Sequence, residues 1–160
     1  MHRCIAVILT LALLGLACDG SHQSDQAMEN HLLSRGAEFN RLISMFGEDG
    51  HVNSIGFSYV FMENDTAGKP DESRLKEYRE LFKKLGLTRI GRSRGGIDLS
   101  ASTKDVLIAR SHKNFYYTSY EPLPLVESVD QISQAGGDRR DQAPVFKKIK
   151  DNWYLYYECY

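Results

Sequence analysis

The sequence predicts an α+β fold: a mainly antiparallel sheet of about five to six strands with two helices packed on one face. Three observations predict it. Apolar residues recur at spacings of three and four in two stretches, residues 26–46 and 73–85. Elsewhere they alternate with polar residues or form short blocks rich in aromatic and β-branched side chains, the pattern of strands. Most consecutive blocks are separated by short turn signals, which join antiparallel neighbours.

The first helix carries Met28, Leu32, Phe39, Leu42, Ile43 and Phe46 along one stripe. Ser24 or Asp25 can cap its start, and Gly47 and Gly50 end it. Gly36 inside the run costs about 1 kcal/mol against Ala. It marks either a close helix contact or a division into two shorter helices. Residues 54–62 alternate, with Ile55, Phe57, Tyr59 and Phe61 expected on one face of a half-buried strand. A turn-rich connection leads to the second helix, opened by Asp71 or Ser73 and carrying Leu75, Tyr78, Phe82 and Leu85. Gly86 occupies the C′ position, and Lys83 and Lys84 suit the last turn.

The remainder reads as mostly β. Ile97, Leu99 and Ala101 alternate, residues 106–109 form a short apolar run, and residues 115–120 are aromatic and β-branched. Ser111-His112-Lys113-Asn114 is expected as the hairpin between those last two strands. Pro122 and Pro124 precede a weak helical turn, and residues 134–143 form a Gly- and charge-rich surface loop. Residues 145–149 and 153–160 flank Lys150-Asp151-Asn152, a hairpin signal.

The N-terminus carries an address. Met1-His2-Arg3 is a short positive start, residues 4–17 are free of charge, and Gly15-Leu16-Ala17 offers a small-residue cut site, the order of an export signal. Fourteen residues of helix reach only about 21 Å, short of the ~30 Å hydrocarbon core. Cys18 follows the cut directly, so the segment resembles the signal of bacterial lipoproteins. That resemblance implies that Cys18 is acylated and becomes the first residue. Gly15-x-Ala17 also satisfies the small-x-small rule of ordinary secretion, and Gly15 stands where the lipoprotein pattern prefers Leu. Asp19 resembles an inner-membrane retention signal, which leaves inner or outer membrane undecided. The expected organisation is a lipoprotein-type signal peptide over residues 1–17, a flexible tether over 18–25 and a single α+β domain over 26–160.

Removing the signal leaves 143 residues, enough for one core. It also removes Arg3, taking the formal net charge from −1 to −2. So balanced a charge gives no electrostatic reason to bind nucleic acid. The three cysteines are Cys4, Cys18 and Cys159. With Cys18 acylated, Cys159 is the one thiol left; with Cys18 free, a Cys18–Cys159 disulfide would tie the chain ends. The five histidines show no zinc spacing, and no phosphate loop opening a helix is present. The reading therefore assigns no catalytic residue, no metal and no cofactor.

Two groups of residues are candidates for binding. Arg92 and Arg94, beside Arg89, can meet an anionic headgroup, a glycan or a partner, or can simply solvate a strand edge. Tyr116, Tyr154 and Tyr156 belong to two aromatic-rich strands. Such tyrosines either present interface anchors to solvent or lie buried beneath the loop over residues 123–143.

Three stretches carry a further resemblance. They are Phe39-x-x-Leu42-x-x-Met45-Phe46-x-Glu48-Asp49, Glu77-Tyr78-Arg79-x-Leu81-Phe82-x-x-Leu85-Gly86-Leu87 and Asn152-Trp153-Tyr154-Leu155-Tyr156-Tyr157-Glu158. Together they resemble a group of small, poorly characterised bacterial lipoproteins and exported proteins. The resemblance implies a single exported domain and adds no catalytic residue. The expected function is that of a lipid-anchored, non-enzymatic envelope protein facing the periplasm, binding an envelope protein or component. An immunity or inhibitor protein against a toxin is one version of it. A hydrolase would require a convergent pair of titratable groups that only folding brings together.

Overall fold

In the computed structural model of the chain, residues 22–63, 68–106, 109–134 and 143–159 are described. The expected signal peptide and the expected acylation of Cys18 lie outside them. Helices α1 (Asp25–Ser34) and α2 (Gly36–Glu48) lead to strands β1 (Val52–Gly56) and β2 (Val60–Met62), then to helix α3 (Glu72–Leu85). Strands β3 (Arg89–Ser93), β4 (Gly96–Val106) and β5 (Ala109–Tyr117) follow, then the short helix α4 (Val129–Gln134), β6 (Val145–Lys150) and β7 (Trp153–Cys159). The strands form one sheet in the order β2-β1-β3-β4-β5-β7-β6. Every neighbouring pair is antiparallel.

The fold is α+β, as expected, with seven strands and four helices among the described residues in place of five to six and two. The differences have local causes. The long first helix divides at Arg35 (φ −119°, ψ 23°), immediately before Gly36. The alternating run 54–62 is a tight hairpin. Gly56 closes it by donating its N–H to the Tyr59 carbonyl at 3.0 Å, and the Tyr59 ring covers the space a Cβ at Gly56 would need. Phe57, Tyr59 and Phe61 consequently stand exposed instead of sharing a buried face with Ile55. Ser111-His112-Lys113-Asn114 is the middle of β5 and pairs with both β4 and β7. Of the expected apolar run 106–109, Val106 ends β4 and pairs with Ala109, the first residue of β5; residues 107 and 108 lie outside the described residues. Arg89–Ser93 is a strand despite its charges.

Period-two alternation separates the two sheet faces. Ile90, Leu99, Phe115, Trp153 and Leu155 bury against Met28, Phe39, Leu42, Phe46, Tyr78 and Phe82 of the helices. Phe39 packs edge-on to Phe115 (4.9 Å) and Trp153 (5.5 Å). The opposite face carries a second, smaller cluster of Tyr116, Phe146, Tyr154 and Tyr156, all contributed by strands. The helices thus cover one face only.

On the helix side an ion network fastens the N-terminus to the sheet. Lys113 is fully buried on β5. Its ammonium contacts Asp25 Oδ1 at 2.7 Å and donates to Asp130 Oδ1 (2.6 Å) and to the Gln23 carbonyl (2.7 Å). Asp25 Oδ2 accepts from the Val129 N–H and the Ser128 hydroxyl. Lys147 bridges Asp25 and Glu29. The described end of the expected tether, His22 to Asp25, is therefore held on the domain, with His22 also bonded to Ser111.

Candidate functional site

The helix-free face is concave where β3, β4, β5 and β7 lie side by side. A half-open cavity of about 430 Å³ sits there. Its floor follows from strand alternation. Arg89 and Ser93 on β3, Asp98 and Ser100 on β4, His112 and Asn114 on β5, and Tyr156 and Glu158 on β7 all line it. Tyr59, from the β1–β2 hairpin, closes one side.

Asp98 is the buried charge at its centre, 5 % exposed. Arg89 Nη2 donates to Oδ2 at 2.5 Å, Asn114 Nδ2 donates to Oδ1 at 2.8 Å, and the Ser100 hydroxyl lies 3.5 Å from Oδ2. Burial pushes the Asp98 carboxyl above its ordinary value and outweighs the Arg89 charge and the hydrogen bonds, which pull the other way. Asn114 is 2 % exposed, and its Oδ1 has no hydrogen-bond partner among the described residues. Leaving such an acceptor buried and unpaired costs about 1–3 kcal/mol. At the cavity edge Glu158 takes hydrogen bonds from Arg94 (2.7 Å) and from the Tyr156 hydroxyl. Burial, with the Glu158 hydrogen bond, raises the Tyr156 hydroxyl well above the usual tyrosine value.

The five binding candidates separate on these facts. Tyr156 lines the cavity. Tyr116 and Tyr154 are buried, 1 % and 2 % exposed, so they are packing residues and not solvent-facing anchors. The Tyr116 ring lies over Gly96, and its hydroxyl donates to the Ser93 and Arg94 carbonyls. Arg94 stands in the β3–β4 turn, where Arg94 and Gly95 both have positive φ (48° and 79°), and reaches Glu158. Arg92 points to the other face. It donates to the Val52 and Phe46 carbonyls and lies 4.9 Å from the Phe46 ring centre. Its role is to hold the α2–β1 corner, because it shares the Ile90 face of β3.

Tyr59, Thr88, Asp98, Ser100, His112, Asn114 and Glu158 are not among the candidates, nor is Ser93, whose segment Gly91-Arg92-Ser93-Arg94-Gly95 has Gly-x-Ser-x-Gly spacing but turns from strand to strand and not from strand to helix. Read as a hairpin, residues 111–114 had no face; read as a strand, His112 and Asn114 fall in line with Tyr116. That alternation was the available signal. A second cavity of about 450 Å³ lies between the α1–α2 junction and the β6–β7 turn, lined by Ile43, Tyr117 and Trp153 among others. It contains no buried charged side chain, so the chemistry concentrates on the helix-free face. Among the described residues no three metal-capable side chains converge. Comparison of the chain with protein-family models, with curated proteins and with solved structures finds no match.

Proposed function

We propose that the chain is a lipid-anchored, non-enzymatic binding module of the cell envelope, facing the periplasm, that engages its ligand in the concavity on the helix-free face of the sheet. The observation that carries this reading is the state of the two carboxylates in the lining. Both Asp98 oxygens are taken by Arg89, Asn114 and Ser100, and Glu158 is taken by Arg94 and Tyr156. The hydrogen bonds leave lone pairs on both carboxylates, and Ser93 and His112 share the lining, but each carboxylate is held in place by its own partners. These groups shape and stiffen a receptor surface. Anchoring rests on the signal-like N-terminus and Cys18.

Two measurements test it. Cys18→Ala should move the protein from the membrane fraction to the soluble fraction, and mass spectrometry of the native N-terminus should show an acylated Cys18. A free thiol at Cys18 in the native protein would sink the anchoring. Immobilised domain should capture material from envelope extracts, and Tyr59→Ala with Arg94→Ala should abolish that capture while Leu33→Ala, on exposed α1 surface, preserves it. Release of chemically altered ligand by the pure protein would overturn the non-enzymatic reading.

A further inference from the structure

We propose that this concavity binds a neutral sugar, one or two residues of a glycan; the inference rests on the binding-module reading above and names its ligand. Three observations combine. The first is charge. Arg89 is matched by Asp98 and Glu158 by Arg94, each within 2.7 Å, so among the described lining residues no Arg or Lys is spare for an anion and no carboxylate for an amine; His112 is the other basic side chain there. An anion site would need an uncommitted Arg or Lys, because displacing a paired, half-buried carboxylate carries a desolvation cost.

The second is hydrogen-bonding capacity. The hydroxyls of Thr88, Ser93 and Ser100 line a cavity whose floor also holds Asn114, with its unpaired Oδ1. Sugar hydroxyls both donate and accept, and Asn114 Oδ1, itself closed to solvent beneath the lining, is an unmet acceptor there. Neutral donors and acceptors held rigidly on strands discriminate strongly between ligands with and without a matching hydroxyl.

The third is shape. Tyr59, 46 % exposed, offers its ring to the cavity; Tyr156, 6 % exposed, has its ring packed on Tyr116 and Phe146 and supports the lining through its hydroxyl on Glu158. A pyranose has apolar C–H faces and a polar rim. Aromatic rings take the faces while the polar floor takes the rim, the division of labour that an amphipathic tyrosine suits. The volume, about 430 Å³, falls in the range of small-ligand sites.

The test is a titration of the folded mature domain, by calorimetry or ligand-observed NMR, with cellobiose, maltose and N,N′-diacetylchitobiose, and with inorganic phosphate as the charged control. Saturable binding of at least one sugar is expected, with no response to phosphate. Tyr59→Ala should weaken it tenfold or more, and Ser93→Ala several-fold, with unchanged circular dichroism; neither side chain is in the main core. Asn114→Leu gives a second reading where it folds. Absence of binding to every sugar up to about 10 mM overturns the inference. So does a preference for phosphate, or sugar binding indifferent to both Tyr59→Ala and Ser93→Ala. If the sugars fail while envelope capture still depends on Tyr59 and Arg94, the ligand assignment falls and the binding module stands.

Discussion

Lys113 shows how much a single position can carry. It is a lysine with no exposed surface, and its three ammonium protons face Gln23, Asp25 and Asp130. Removing one partner of a buried ion network costs about 3–5 kcal/mol, because the remaining charges stay desolvated and unpaired. Lys113→Met should therefore lower the unfolding free energy read from urea titration by that amount or prevent folding, whereas a loss under about 1 kcal/mol would show the network to be solvated. The carboxylates make a pH prediction with opposite signs. Burial acts to raise Asp25, but the Lys113 hydrogen bond and charge, Lys147 and the Val129 N–H prevail and hold it below the usual carboxylate value. Its stabilisation is complete above about pH 4 and is lost as pH falls through the lowered folded value. Asp98 is raised by burial, so its contribution is complete below about pH 4 and is lost as pH rises through the raised value. Urea unfolding between pH 3 and 7 should then show the penalty of Asp25→Asn shrinking toward acid. The effect of Asp98→Asn should become more favourable toward neutrality. None of this was visible in the sequence. Lys113 sits in a polar tetrapeptide, and only pairing on both sides turns that tetrapeptide into a central strand.

Elements with their own punctuation were the legible ones. For α3, Asp71 accepts from the Arg74 N–H at 2.8 Å, and Gly86 ends the helix in the left-handed region (φ 61°) with the Leu87 N–H returning to the Phe82 carbonyl at 2.9 Å. Both caps are local chemistry, so the sequence reports them directly. The β6–β7 hairpin was legible for the same reason. The β1–β2 hairpin was not, because the alternation of Ile55, Phe57, Tyr59 and Phe61 imitates one straight strand while the reversal depends on a ring covering Gly56. Strand β3 was hidden by its arginines, whose charges are met only by distant partners such as Asp98 and the Val52 carbonyl. The turn positions make a paired test. Gly86→Ala places a Cβ at positive φ and should cost about 1 kcal/mol. Asp151→Gly relieves a non-glycine residue at φ 45° in the β6–β7 turn and should be neutral to stabilising by up to about 1 kcal/mol. Thermal melts of the two variants should move in opposite directions; a parallel loss would mean that Asp151 holds its turn through its side chain.

At the scale of the whole molecule, the N-terminal clasp ties the first described residues to the fold. Asp25 begins α1, yet its carboxylate meets Lys113 on β5, Lys147 on β6 and the backbone at the start of α4. Elements far apart in sequence therefore meet at the residue where the tether was expected to end. The chain between Cys18 and Gln23, whose carbonyl Lys113 holds, is five peptide steps long. Fully extended it spans at most about 18 Å. An acylated Cys18 would thus keep the domain within about one strand length of the bilayer surface, with little freedom to search away from it. The same geometry makes the first described residues part of the fold and not a dispensable leader. A chain beginning at Ser21 keeps the clasp; one beginning at Ala27 removes Asp25 and the Gln23 carbonyl and leaves Lys113 with Asp130 alone among these three partners. The shorter chain should unfold at a urea concentration lower by an amount worth roughly 2–4 kcal/mol, while the longer one matches the mature protein. Equal midpoints for the two would show that the clasp contributes nothing to stability, and would return the segment before Ala27 to the role of a passive tether.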